Sequence, residues 1–131
     1  QLKQLGQDAL LVLDNPDSDA DDTLQNSLAK INSTTYPNEL IASLEKVLPD
    51  NVDYNLQVIY YNESEKEIRT YSVTNKTYTS DTVSCSRYVV IRNGDLVDDS
   101  PFKYNQSGGI ESVNDPEYPI VLEVNLLLWR V

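Results

Sequence analysis

The C-terminal stretch, residues 118–131, constrains the fold of this chain more than any other segment. Ile120, Leu122, Val124, Leu126 and Leu128 form one alternating row. Apolar residues also fill most of the other row, which Glu123 and Asn125 interrupt. Because successive side chains of a β-strand point to opposite faces, this stretch predicts a strand with two apolar faces. Such a strand belongs inside a sheet, so we expect it to be central and covered on both sides.

Apolar stripes at helical spacing predict three helices before the strands. The first covers about residues 1–13, where Leu2, Leu5, Ala9 and Val12 recur every three or four residues. Gly6 weakens this helix by roughly 1 kcal/mol relative to alanine, and permits a bend or a close contact. Shorter stripes within residues 22–32 and 36–48 predict a helical hairpin. We expect this hairpin to cover one face of the sheet and the first helix to cover the other.

The middle of the chain alternates with the period of a β-strand. Residues 52–61 predict a half-buried strand, and residues 67–73 return as its hairpin partner. Residues 82–92 predict a third strand, with Arg87 intruding on its apolar face. Residues 95–117 predict a long polar connection that is either a surface feature or locally mobile, with Leu96, Phe102, Ile110 and Val113 as candidate anchors. The expected fold is α+β, a single domain over residues 1–131 with an antiparallel sheet of about four or five strands.

Charge and composition exclude several functions. The net charge of -11, without clusters of Lys and Arg, argues against partners such as nucleic acid and anionic membrane surfaces. Histidine is absent, which removes the commonest general base and transition-metal ligand. The single cysteine, Cys85, cannot form an internal disulfide and lies on the apolar face of its predicted strand. We therefore expect no enzyme activity and no cofactor.

The acidic run after the first helix raises a calcium alternative. Asp17, Asp19 and Asp21 fall at alternate positions, as in the first half of an EF-hand loop. Asp22 stands where that loop needs glycine, and Leu28 stands where it needs a bidentate glutamate. The pattern therefore favours a solvated loop that caps the next helix, and a calcium-binding site is the weaker hypothesis.

Glu123 is the one carboxylate in the most apolar strand. A carboxylate in such apolar surroundings is a candidate catalytic acid. The simpler interpretation is an ion pair with Arg69, Arg87 or Arg92 on a neighbouring strand, and we favour it.

One sequence pattern favours an exported protein. The glycosylation pattern N-x-[ST] occurs at Asn32, Asn62, Asn75 and Asn105, each in a predicted turn or loop. Separately, the chain begins at Gln1 and contains no methionine, so residue 1 is either a processing point or an artificial boundary, and we expect that an N-terminal segment has been removed.

Together these features make the chain similar to the pilin-like proteins of the archaeal cell surface, type IV pilins in the broad sense. The resembling segments are residues 2–13, 44–49, 52–58, 86–90 and 122–130. The resemblance implies an N-terminal helix that is anchored in the membrane before assembly, followed by an antiparallel sheet that packs on its second half.

The expected function is a non-enzymatic extracellular subunit, or a minor component, of a pilus-like filament at the cell surface. Its partners would be itself or other pilin-like subunits, bound through an assembly face made of Leu2, Leu5, Ala9 and Val12. Contact with a membrane would involve only the missing N-terminal segment. The alternative is a cell-surface adhesion or ligand-binding module that uses residues 95–117, with calcium as an aid.

Overall fold

The computed structural model describes residues 2–14, 23–62, 65–78, 81–104 and 116–131. In chain order its elements are α1 (Leu2–Leu13), α2 (Thr23–Ala29), α3 (Asn38–Val47), β1 (Val52–Asn62), β2 (Glu67–Ser72), β3 (Val83–Arg92), a single 3-10 turn (Asn93–Asp95) and β4 (Pro119–Arg130). The α+β class and each predicted helix and strand are confirmed, with ends that shift by a few residues.

The described strands form a four-stranded antiparallel sheet with the order β2-β1-β4-β3. The predicted interior position of the C-terminal strand β4 is confirmed, since it pairs with β1 on one side and β3 on the other. In register, Leu126 lies between Leu56 of β1 and Cys85 of β3. The even-numbered residues of β4 therefore share one face with these neighbours.

That face carries the core. Leu122, Val124, Leu126 and Leu128 are fully buried beneath the helices. The helices contribute Ala9, Leu10, Leu13, Leu24, Leu28, Leu40 and Leu44 to the same cluster. Each fully buried leucine contributes roughly 2 kcal/mol of transfer free energy. The packing of this one face accounts for most of the apolar burial of the described residues.

The expectation of a separate cover on each face of β4 is wrong. The helix α1 packs on β3 and β4 and also contacts α2 and α3, so the three helices form one layer on one face. On the other face Val121 is exposed and Leu127 is half-buried. A second layer is unnecessary because Glu123 and Asn125 make the middle of this row polar. We call this second surface the open face.

Trp129 is the exception on the open face. It is buried, and the ring of Tyr78 lies with its centroid 5.8 Å from that of Trp129. Tyr78 belongs to the segment after β2, which runs beside the first half of β1. Asn55 fixes this segment, donating to the Lys76 carbonyl at 2.8 Å and accepting from the Lys76 N–H at 2.7 Å.

Arg87, the charge predicted to intrude on the apolar face of β3, has a specific partner. Its Nε donates to Oδ2 of Asp14 at 2.6 Å, and Asp14 is buried directly after the last residue of α1. Gln25 of α2 reaches the other carboxylate oxygen at 3.5 Å. The ion pair therefore joins the end of α1 to the middle of the sheet.

The long connection after β3 is anchored where the sequence predicted. Leu96 and Phe102 are buried. The rings of Tyr60 and Tyr71 meet Phe102 edge-on, with centroids 5.1 and 5.8 Å away. Ile110 and Val113, the other two candidate anchors, lie outside the described residues.

Candidate functional site

The predicted assembly face on α1 is divided between the core and the surface. Ala9 is buried, and Leu2 and Leu5 are half-buried against the core. Val12 is 64% exposed, and Leu11 is also exposed. Val12 lies seven residues after Leu5 and therefore on the same side of the helix. The exposed apolar surface of α1 is centred on Val12 and Leu11.

A second exposed apolar surface covers one end of the open face. We call it the apolar patch; its members are Ile59, Tyr61, Ile68, Tyr88, Val90 and Val121. Tyr61 pairs with Ile68, Val90 pairs with Val121, and Glu123 lies between Ile59 and Tyr88. Ile68 is 73% exposed, Tyr88 67% and Val121 54%. The patch spans the four described strands, and the sequence patterns above did not predict it.

Glu123 lies inside this patch, and its predicted pairing with an arginine is wrong. The Tyr88 hydroxyl donates to Oε1 of Glu123 at 3.4 Å. Arg69, Arg87 and Arg92 are engaged elsewhere. Arg69 pairs with Glu65 and Glu67. Arg87 pairs with Asp14, and Arg92 pairs with Asp95 and Glu117. The register explains this outcome, because Arg87 points to the helix-covered face and Glu123 to the open face.

A polar row across the middle of the open face ends the apolar patch. The Asn125 side-chain amide donates to the hydroxyls of Ser84 and Ser86 at 2.8 and 3.0 Å. Gln57 and Ser72 continue this polar row on β1 and β2. The open face is therefore apolar at one end, polar in the middle, and closed by Tyr78 over Trp129 at the other end.

A cavity of about 460 Å³ adjoins the patch. Its lining includes Tyr61 and Val121 from the patch and the rings of Phe102, Tyr104 and Tyr118. The Tyr104 and Tyr118 centroids are 5.4 Å apart. The ammonium group of Lys103, also in the lining, donates to the carbonyls of Asn93 and Leu96. Aromatic walls with a few polar groups are typical of small-molecule sites.

A smaller cavity of about 340 Å³ lies between the end of α3 and the start of β1. The buried Tyr54 hydroxyl has no hydrogen-bond partner of normal geometry among the described residues, although the Glu45 carboxylate lies close by. Burial, followed by the charge of Glu45, raises the pKa of Tyr54. The Lys76 ammonium sits 4.1 Å from the Tyr54 ring centroid and 2.8 Å from Asp53.

The neighbouring Lys76 lowers the pKa of Asp53. Burial alone would raise the pKa of Asp53, but hydrogen bonds from Lys76 and from the Tyr54 N–H hold it below its ordinary value. A carboxylate held in its charged form next to an ammonium group is a stabilised ion pair and a poor general base at neutral pH.

Cys85 and the described carboxylates are the remaining groups considered for chemistry in the part of the chain that the structure describes. Cys85 is buried as predicted, and burial raises the pKa of its thiol, which disfavours the nucleophilic thiolate. The part of the chain that the structure describes contains no cluster of three or more His, Cys, Asp and Glu that could hold a metal ion. Asp17, Asp19 and Asp21 lie outside it, so the calcium site stays a prediction.

Comparison with known proteins places the chain in a family. Residues 1–127 match the model of a family described as a family of unknown function (DUF7288). The chain belongs to this family. A protein of Archaeoglobus fulgidus, described as uncharacterized, is 33% identical over 132 residues, which cover 99% of this chain and 69% of that protein. No solved structure matches the chain.

The candidate glycosylation positions of this family member have different surroundings. Asn75 is exposed, whereas Asn32 and Asn62 are half-buried. The side-chain oxygen Oδ1 of Asn32 accepts from the N–H groups of Thr34 and Thr35 at 2.9 and 2.6 Å, so it caps the turn between α2 and α3. Asn105 lies outside the described residues. Glycosylation stays a prediction.

A helix that spans a bilayer needs about 20 mostly apolar residues. None of the helices that the structure describes is long and apolar enough to cross a membrane.

Proposed function

We propose that this member of the family is a non-enzymatic extracellular subunit, or a minor component, of a pilus-like filament on an archaeal cell surface. The observation that carries the proposal is the placement of α1. This N-terminal helix lies on one face of an antiparallel sheet and still exposes Leu11 and Val12. Apolar side chains left on a docked helix are suited to contact a neighbouring subunit.

The direction of α1 supports the same function. Gly6 packs against Cys85 and Leu128, whereas Asp14 at the other end reaches Arg87. The helix therefore starts over the end of the sheet where β4 finishes. A helical continuation before Leu2 would leave the domain at this end. The proposal requires such a continuation, with about 20 apolar residues, encoded ahead of Gln1.

The surface chemistry suits display outside a cell. A net charge of -11 keeps a protein soluble and disfavours contact with anionic lipids. The exposed Asn75 offers a position where a glycan meets no obstacle from the fold. The similarity to an archaeal protein agrees with this setting.

Assembly through α1 predicts a large effect of a charge at Val12. In cells that make the full-length protein, Val12→Glu is expected to lower incorporation into purified surface filaments by more than tenfold, because an unpaired carboxylate would be buried between subunits. Incorporation is measured by immunoblot of isolated filaments and by immunogold electron microscopy.

The matched control for this experiment is Asn38→Asp, which adds the same charge at an exposed position of α3. We expect this variant to assemble like the parent. Equal incorporation of Val12→Glu and the parent would rule out α1 as the assembly element. Absence of the parent from any filament would remove the proposed function itself.

The cavity beside the apolar patch favours a second function, a surface adhesion or ligand-binding module. Its lining comes partly from Phe102 and Tyr104, within the connection proposed for this role.

The calcium that would assist such a module is testable by thermal unfolding. We expect the midpoint to be the same, within about 1 °C, in calcium and in chelator, because the EF-hand pattern is incomplete. A rise of several degrees in calcium would instead establish a site.

A further inference from the structure

The cavity beside the apolar patch has a mainly aromatic lining. Its volume of about 460 Å³ falls in the range of small-ligand sites, about 300 to 1,000 Å³. The lining combines aromatic rings with uncharged polar groups, which come from Tyr61, Phe102, Tyr104, Tyr118, Asn62 and Ser100. The cavity is therefore large enough, and varied enough in its lining, to hold a small organic ligand.

The two neighbouring rings of this lining are held in place by Asn93. Its buried side chain donates to the Tyr104 carbonyl at 3.2 Å and accepts from the Tyr104 N–H at 2.9 Å. The Asn93 N–H donates to the Tyr118 carbonyl at 2.8 Å. The ring planes of Tyr104 and Tyr118 are inclined at 55°. A site whose walls are fixed before binding loses less conformational entropy when a ligand enters.

Charge in and around the cavity disfavours an ionic ligand. Among the described lining residues Lys103 alone carries a charged side chain. Its ammonium group already donates to the carbonyls of Asn93 and Leu96 at 3.3 and 3.1 Å, and its charge repels a cation. The net charge of -11 on the chain disfavours an anion. The ligand that fits this site is neutral.

A neutral sugar has both kinds of surface that the lining can bind. The C–H groups on one face of a sugar ring carry partial positive charge, and the π face of a tyrosine ring is negative. The sugar hydroxyls donate and accept hydrogen bonds, as the tyrosine hydroxyls and the Asn62 amide do. A wholly apolar ligand would bury these polar groups without partners, at a cost of about 1 to 3 kcal/mol each.

Asn62 gives an independent reason to expect a sugar here. It is the asparagine of one of the N-x-[ST] patterns, and it lines the cavity. Its Oδ1 accepts from the Glu65 N–H at 3.0 Å. An N-linked glycan is attached to Nδ2, so glycosylation is compatible with this hydrogen bond. A glycan on Asn62 would begin at the cavity.

We propose that this cavity binds a neutral saccharide, which stacks on the tyrosine rings and hydrogen-bonds to their hydroxyls. The sugar comes either from a glycan on Asn62 or from a separate molecule. This inference supplies the ligand class for the ligand-binding function proposed above and rests on that function. It is independent of assembly through α1.

The first test is a titration of residues 1–131, made without glycans, with methyl glycosides of glucose, galactose and mannose and with N-acetylglucosamine. Nuclear magnetic resonance of the tyrosine rings follows binding. We expect a dissociation constant of about 1 mM for at least one sugar, with shifts at Tyr61, Tyr104 and Tyr118. Tyr118→Ala and the more exposed Tyr61→Ala should each raise it at least about fivefold, because each removes a ring from the lining. Tyr88→Ala, which removes an exposed tyrosine outside the lining, is the matched control and should bind like the parent.

The second test identifies the source of the sugar. Mass spectrometry of the protein from its native cells shows whether Asn62 is glycosylated. A glycan on Asn62 that fills the cavity competes at high effective concentration, so the native parent should bind the free sugar at least about tenfold more weakly than native Asn62→Gln. Equal binding by the two proteins would support a separate saccharide.

Circular dichroism checks that each variant is folded. The saccharide proposal is overturned if no sugar binds the folded parent at up to about 20 mM. It is also overturned if benzyltrimethylammonium or a proline-rich peptide binds in place of every sugar, a result that would keep the ligand-binding function. Absence of binding by all of these probes would remove both, and would leave assembly through α1 unaffected.

Discussion

Replacing Gly6 by valine is expected to lower the free energy of unfolding by about 3 kcal/mol. A Cβ at this position would lie 2.5 Å from Cys85 Sγ and 2.6 Å from Leu128 Cδ1. Both side chains are buried in the core beneath α1 and have little room to move. The helix would have to lift from the sheet, because valine adds two further methyl groups to that Cβ. Urea denaturation followed by far-UV circular dichroism measures the loss.

Gln7→Val is the matched control, since Gln7 is the next residue of α1 and is exposed. It carries the modest helix-propensity cost of valine, about 0.5 kcal/mol, without the steric conflict. Gly6→Ala separates the two effects, because alanine gains roughly 1 kcal/mol of helix propensity and still meets both neighbours. Adding Cys85→Ala should recover part of the loss in Gly6→Ala. Equal stabilities of Gly6→Val and Gln7→Val would show that α1 does not lie this close to the sheet.

Gly6 illustrates which features of the fold can be predicted from the sequence and which cannot. A glycine within an apolar helical stripe indicates a close contact, and the contact exists. Its partners, Cys85 and Leu128, are far away in the chain, and only the tertiary arrangement brings them to α1. Strands and helices could be predicted because their periods are local properties. Their mutual packing depends on long-range contacts that no local pattern encodes.

The open face illustrates the same limit for the candidate site. The two apolar rows of β4 are evident in the sequence, and each of them predicts a covering layer. Glu123 and Asn125 are the polar residues of the row that carries no covering layer, so they indicate which face of β4 is open. The alternation in β3 offered a further signal, because Tyr88 and Val90 lie on the opposite face from Val89 and Ile91. What the sequence could not supply was the register that aligns them with Val121.

Replacing Arg87 by methionine is expected to destabilise the domain by about 3 kcal/mol, because it leaves Asp14 charged and buried. The Asp14 side chain is 6% exposed. The amide Nε2 of Gln25 lies 3.5 Å from Asp14 Oδ1, and this long contact cannot replace the ion pair in which Arg87 Nε lies 2.6 Å from Asp14 Oδ2. Asp14 also directly follows the last turn of α1, where the partial negative charge of the helix end opposes a carboxylate. The expected loss of stability lies at the low end of that for a broken buried ion pair, since the Arg87 side chain is 35% exposed. Urea denaturation at neutral pH measures the change.

The two partners should respond unequally, which separates an electrostatic role from simple packing. Asp14→Asn retains an acceptor for Arg87 and leaves an arginine that can turn toward water, so its expected cost is only about 1 kcal/mol. The double variant Asp14→Leu with Arg87→Met replaces the pair by apolar groups and should return to within about 1 kcal/mol of the parent. If the double variant were instead as unstable as the sum of Asp14→Leu and Arg87→Met measured singly, the loss would arise from packing around β3 and not from the unpaired charge. Recovery in the double variant would identify the buried Asp14 carboxylate as the group that makes Arg87 necessary on an otherwise apolar face.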